Sequence, residues 1–207
     1  MHPEKDFYNL VITGVGGQGN VLCSQLIGQA FVHKGYFTTI GETYGASQRG
    51  GSVMSHIRIS SQKQLSPLIP KGKADGVVAL EPVEGLRVLT VYGNPGTIVI
   101  ANTRPIYPVD VTSGQEKYPD EEEIKKSLAS LSRKAHSIPA TEKAMQMGSP
   151  ILGNMIMIGA LLELNLLPLS AAEFRETLTN NFDEKRLKIN LQALEEGRKT
   201  VPAAQSS

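Results

Sequence analysis

Apolar positions along this chain follow two periods in turn. Tyr8 to Thr13 reads as a buried strand around Leu10-Val11-Ile12, and Val21, Leu22, Gln25, Leu26, Gln29, Ala30 and Val32 then share one face at helical spacing until Lys34-Gly35. Tyr36 to Ile40 is a second β-rich stretch. Val53, Ser55, Ile57 and Ile59 alternate with Met54, His56, Arg58 and Ser60, the period of a strand with two different faces. Asp75 to Leu80 and Thr97 to Ala101 are short apolar strands on either side of a helix predicted over Pro82 to Val91. Strands separated by helices predict an α/β fold with a mainly parallel sheet and helices on both faces.

The second half is patterned differently. Thr103 to Pro119 is interrupted by Pro105, Pro108 and Gly114 and reads as an ordered excursion or contact arm. Asp120 to Glu123 followed by Lys125-Lys126 puts acids in the first turn and bases in the next, suiting the dipole of a helix running to about Lys134. Ala135 to Pro139 reads as a last strand, Ile151 to Leu167 as a long apolar helix, and Arg175 to Arg198 as amphipathic and charged. One domain is expected over residues 1–198, with a flexible tail at 199–207.

Composition narrows the function classes. A hydrophobic fraction of 40% in 207 residues supports one sizeable core. Lys and Arg number 21 against 20 acids, a net charge of +1 that gives no electrostatic case for a nucleic-acid or membrane-surface partner. Cys23 is the only cysteine, which excludes an internal disulfide and any all-cysteine metal site and points to a reducing compartment. Polar residues at Met1 to Asp6 and the lack of an apolar run of bilayer length complete the expectation of a cytoplasmic protein.

The chemistry concentrates in two segments. Gly14-Val15-Gly16-Gly17-Gln18-Gly19 leaves a strand and opens a helix, where glycines permit a tight turn and close backbone approach, and the helix N-terminus faces an anion. The same turn in a chain that only packs is the alternative. Glu42 to Val53 follows the second strand, with Glu42 where a dinucleotide fold bonds a ribose, then Ser47, Gln48 and Arg49 among three glycines. That loop suits an anionic ligand or a partner subunit. Cys23 reads as a small buried packing residue, His56 lacks an identifiable carboxylate partner, and Asn154, within an apolar helix, is expected to bond a nearby backbone or the glycine loop.

Together, Gly14-Val-Gly-Gly-Gln-Gly19, Glu42-Thr-Tyr-Gly-Ala-Ser-Gln-Arg-Gly-Gly-Ser-Val53 and Ser55-His-Ile-Arg58 resemble the gamma-type subunit of the 2-oxoacid:ferredoxin oxidoreductases, the pyruvate/ketoisovalerate family. Gly148-Ser-Pro-Ile-Leu-Gly-Asn-Met155, Gly159-Ala-Leu161 and Lys188-Ile-Asn-Leu191 extend the likeness over roughly residues 8 to 198, and the Ser47 to Val53 form is most similar to the indolepyruvate branch, where this subunit is called beta. The resemblance implies a Rossmann-like domain in an enzyme that oxidatively decarboxylates a 2-oxoacid on thiamine diphosphate, passes electrons through 4Fe-4S clusters to ferredoxin and releases an acyl-coenzyme A. One cysteine cannot ligate a cluster, so this chain is expected to hold none of those cofactors alone and to be inactive by itself. Its expected partners are the large thiamine-diphosphate and iron–sulfur subunits and, through the complex, ferredoxin. The resemblance maps Gly14, Gly16, Gly17, Gln18, Gly19, Glu42, Ser47, Gln48 and Arg49 onto an edge facing the active site, associated with coenzyme A, and assigns no metal ligand or catalytic residue. The competing reading is a stand-alone NAD- or phosphate-binding regulatory module.

Overall fold

A computed structural model of the chain describes residues 6–44 and 51–201. Its centre is a six-stranded sheet made of β1 (Phe7–Val15), β2 (Phe37–Tyr44), β3 (Ser52–Ser60), β4 (Gly76–Ala79), β5 (Ile98–Asn102) and β6 (Lys134–Ile138), in the order β2-β3-β1-β4-β5-β6. β1, β4, β5 and β6 pair in parallel as expected. β3, however, runs antiparallel to both β1 and β2. The connection between β2 and β3 is too short for a parallel crossover, so the chain hairpins back and inserts β3 between β2 and β1. Thr43 and Ser52, read from the sequence as loop, are therefore strand residues.

Alternation along the strands sorts two cores. Leu10, Ile12, Ile57, Ile59, Val78, Leu80 and Ile100 face one layer, built on α1 (Asn20–His33) and α6 (Gly153–Glu163) and backed by α7 (Ala171–Asn181) and α8 (Glu184–Arg198). Val11, Val77, Ala79, Val99 and Ala101 face α2 (Pro82–Tyr92) and α4 (Glu121–Ser130) on the other side. Fully burying one such aliphatic side chain stabilises by about 1.5–3 kcal/mol. The polar face of β3 is buried too. The Arg58 guanidinium donates to Asn9 Oδ1 at 3.1 Å and to Ser66 Oγ at 2.9 Å, and His56 Nδ1 accepts from Ile69 N at 3.3 Å beneath the segment 61–75. His56 thus has a structural place, and burial lowers its pKa.

Several element limits differ from the sequence expectation. The arm after β5 contains a short helix, α3 (Val109–Thr112), and α5 (Ala140–Gln146) follows β6 directly. The predicted helix over 151–167 begins as a 3-10 turn at Pro150–Leu152, continues as α6 and stops before Asn165, whose φ of 50° is left-handed. The charged stretch 175–198 breaks at extended Phe182, after which the Asp183 side chain caps α8 by accepting from Arg186 N at 2.9 Å. α4 ends at Ser130 because Lys134 already belongs to β6. Residues 199–201, expected in a flexible tail, pack on the core through buried Val201.

α6 and α8 meet backbone to backbone. A Cβ built at Gly159 falls 2.0 Å from Leu194 O, and one built at Gly197 falls 1.9 Å from Ile156 O, so any side chain at either position drives the helices apart. Gly197→Ala is expected to lower the unfolding free energy by about 1–3 kcal/mol, read as a reduced urea midpoint at unchanged slope; an unchanged midpoint contradicts this packing. On α1, Cys23 is 1% exposed and burial pushes its thiol up to about 12. A disulfide reagent at pH 8 is expected to leave the native chain unlabelled and to titrate one thiol after denaturation; fast native labelling refutes that burial.

Candidate functional site

The sheet has one switch point. β1 leads into α1 on one face and β4 leads into α2 on the other, so a crevice opens beyond the carboxyl ends of β1 and β4. A cleft of about 380 Å³ lies there, lined by Gly17, Gln18, Leu80, Asn102, Arg104, Ile106, Thr141, Ile151, Asn154 and Met157 together with Pro105, Pro150 and Gly153. The lining combines three amides, one guanidinium and an apolar wall.

The glycine turn forms the floor, and much of its hydrogen bonding is internal. Gly16 N–H donates to Gly51 O at 3.0 Å, and Gln18 N–H donates to Val15 O at 3.3 Å. The Gln18 side chain folds inward: Oε1 accepts from Val15 N at 2.8 Å and Nε2 donates to Leu80 O at 2.8 Å. A Cβ at Gly14 would stand 2.4 Å from Gln18 Oε1, so the glycine there makes room for that side chain. Gly17 has a φ of 96° with open space where a side chain would point. Gly19, with a φ of 86°, caps α1, and the position of its absent Cβ lies 2.4 Å from Asn154 Nδ2. Asn154 therefore sits on the glycine turn, across the N-terminus of α1.

Gly14, Gly16, Gly17, Gln18 and Gly19 are thus gathered at one edge, but Glu42 is not beside them. In register Glu42 pairs with Ser55, and Ser55 pairs with Ile12, which places β3 between Glu42 and β1. At about 4.8 Å per strand the offset is roughly 10 Å. A ribose acid comes from the strand next to β1, and here that strand is β3. Ser47, Gln48 and Arg49 lie outside the described residues. The anchors flanking them are at this edge, since Tyr44 pairs with Val53, Val53 pairs with Gly14, and Ser52 Oγ donates to Glu84 Oε2 at 2.6 Å.

Sequence reasoning missed Asn102, Arg104, Thr141 and Glu81. Asn102 Nδ2 donates to Leu80 O at 3.1 Å and to Thr141 Oγ1 at 2.8 Å. Glu81, 2% exposed, caps α2 by accepting from Glu84 N at 2.8 Å, and its other oxygen accepts from the Tyr118 hydroxyl and from Ile106 N. Burial pushes the Glu81 carboxyl above the usual carboxylate range, and the Tyr118 hydroxyl is pushed up by burial and by its bond to Glu81. One signal was available for Glu81 and Asn102: each is the first polar residue after an apolar run, hence at the carboxyl end of a parallel strand.

Among the described residues no cluster of His, Cys, Asp and Glu could hold a metal ion, and no helix is long and apolar enough to cross a membrane. Residues 9–200 match the model of the family described as pyruvate ferredoxin/flavodoxin oxidoreductase. The indolepyruvate oxidoreductase subunit IorB of Thermococcus kodakarensis is 38% identical over 195 residues, 94% of this chain and 96% of that relative. The pyruvate oxidoreductase subunit PORC of Thermotoga maritima superposes with a TM-score of 0.72 at 20% identity, over 97% of this chain and all 100% of that one. A TM-score of 0.72 at 24% identity relates 97% of this chain to a 2-oxoglutarate:ferredoxin oxidoreductase from Magnetococcus marinus, of whose longer chain it spans 32%. A family match over nearly the whole chain, on a fold shared with oxidoreductase subunits, settles its membership: this chain belongs to the pyruvate ferredoxin/flavodoxin oxidoreductase family.

Proposed function

We propose that the chain is the small, cluster-free subunit of an indolepyruvate-type 2-oxoacid:ferredoxin oxidoreductase, and that its carboxyl-edge cleft helps hold an anionic ligand of that enzyme, coenzyme A or the 2-oxoacid. One observation carries the assignment: the likeness to an IorB subunit runs the length of both chains. The sequence supports the division of labour. Four thiolates are the usual requirement for a cluster, and Cys23 is the single cysteine, turned into the core.

The cleft residues fit part of coenzyme A better than a dinucleotide. Gln18 and Asn102 spend amide hydrogens on Leu80 O, Asn154 covers the turn, and apolar Ile106, Ile151 and Met157 offer a wall to a chain of methylenes and amides. Arg104, and Arg49 from the neighbouring connection, supply cations for a phosphate or carboxylate. When bound, coenzyme A supplies the thiol that takes the acyl group. This chain's residues bind, orient and shield it from water. The position taken by Asn154 at the α1 N-terminus and the remoteness of Glu42 from β1 both weigh against NAD.

The isolated chain is expected to be colourless and to reduce no viologen with indolepyruvate and coenzyme A until the large subunit is added; turnover by the chain alone sinks the assignment. In the assembled enzyme, Arg49→Ala and Arg104→Ala each remove a charge-assisted contact of about 1.5–3 kcal/mol, raising one Michaelis constant roughly ten- to hundredfold. The ligand whose constant rises identifies what the edge binds. If both constants hold and only assembly weakens, the edge is a subunit interface. Calorimetry of the isolated chain with NAD is expected to show no binding, and micromolar affinity restores the regulatory-module reading.

A further inference from the structure

Arg104 reaches the cleft on an arm, residues 103–119, that leaves β5 and returns to α4. Its root is fixed. Thr103 N donates to Ile138 O at 3.0 Å, and Asn102 is bonded to Leu80 and Thr141. Beyond the root the outgoing and returning limbs meet at one atom. Glu81 Oε1 accepts from Ile106 N at 3.4 Å on the way out and from the Tyr118 hydroxyl on the way back. Glu81 itself cannot swing, because it directly precedes α2 and its Oε2 is held by Glu84 N at 2.8 Å as the cap of that helix. The Tyr107 and Tyr118 rings, edge to face at 5.1 Å, tie the two limbs to each other.

Between the root at Thr103 and the tie at Ile106 stand only Arg104 and Pro105. Proline fixes its own φ, so the direction of Arg104 follows from where Ile106 is tied. The arm also divides the carboxyl-end crevice. Pro105 and Asn102 line the cleft on one side and, on the other, a second cavity of about 470 Å³ walled by Tyr107, Tyr118 and α4.

We propose that Glu81 is a positioning residue: it latches the arm at Ile106 and Tyr118 and thereby holds Arg104 at the wall of the cleft. This rests on reading the cleft as an anion site, and it adds that affinity at the site is set from a buried carboxylate that touches no ligand. Two variants open the latch differently. Glu81→Gln keeps the volume but leaves one acceptor oxygen for three donors, whereas Tyr118→Phe leaves Glu81 and the α2 cap intact and removes the hydroxyl alone.

Hydrogen exchange on the isolated full-length chain tests the latch without reference to activity. Amides of residues 104–119 are expected to exchange about tenfold faster in both variants, with α2 unchanged in Tyr118→Phe. In the enzyme assembled with its large subunit, both variants are expected to raise the Michaelis constant for coenzyme A or indolepyruvate, whichever Arg104→Ala raises, about tenfold while kcat changes less than about twofold. Exchange in the arm that stays at the wild-type rate in Tyr118→Phe overturns the latch. Faster exchange with Michaelis constants unmoved, while Arg104→Ala still raises one, overturns the coupling to Arg104 and leaves the cleft assignment standing. If Arg104→Ala moves neither constant, the cleft assignment fails and this inference falls with it.

Discussion

The carboxyl edge depends on how two diverging parallel strands keep their last backbone groups bonded. After Val15 and Leu80 the chain leaves β1 and β4 toward opposite faces, so the ladder between them ends and polar groups are stranded beside the core. Gln18 answers on both sides, taking Val15 N–H on its oxygen and giving an amide hydrogen to Leu80 O. Asn102 gives Leu80 O a second hydrogen. A buried donor or acceptor left unpaired costs about 1–3 kcal/mol, so these two amides decide whether the crevice stays closed-packed at its base. Other features follow from that clamp. Gly14 must be bare where Gln18 folds over it, the turn must reverse through the positive φ of Gly17 and Gly19, and Asn154 can then lie directly on Gly19.

The insertion of β3 sets the other half of the edge. By separating β2 from β1, it carries the β2–β3 connection to the carboxyl side while its own inward residues, Ile57 and Ile59, continue the core that Leu10 and Ile12 begin. The opposite face of β3 would expose His56 and Arg58. The segment 61–75 covers them, and the buried guanidinium is matched by Asn9 and by Ser66, as a buried cation requires. The hairpin thus has a polar layer pinned beneath a strap.

What the sequence made legible follows from which features are local. Period-two and helical patterns located all six strands and α1 and α2, and the G-x-G-x-x-G turn located the edge where the cleft lies. Strand order was not legible, because antiparallel pairing of β3 is decided by the length of one connection and by packing with β1. Glu42 was judged against a fold in which the second strand neighbours the first, and it stands on the edge strand instead. Asn102, Glu81 and Thr141 were passed over because the bonds that give them a place in the site, Asn102 to Leu80 and Thr141 and Glu81 to Ile106 and Tyr118, join residues 22 to 39 positions apart. The likeness to the oxidoreductase subunits needed no strand order, since it rests on short segments each read by itself, from the glycine turn and the Ser55–Arg58 stretch of β3 to Gly159–Leu161 in α6 and Lys188–Leu191 in α8.

A glycine turn between strand and helix therefore does not by itself make a dinucleotide site. Three further conditions must hold: a clear helix N-terminus, an acid on the adjacent strand, and turn N–H groups left for the ligand. Here Asn154 lies against Gly19, the adjacent strand is β3 with Glu42 one strand further out, and Gly16 and Gln18 spend their N–H groups on Gly51 and Val15. Gly14 and Gly19 serve the close packing of Gln18 and of α6 on the turn. The side chains around the turn are fixed by bonds of their own: Asn102 is locked by Thr141, and Arg104 rides on an arm tied to Glu81.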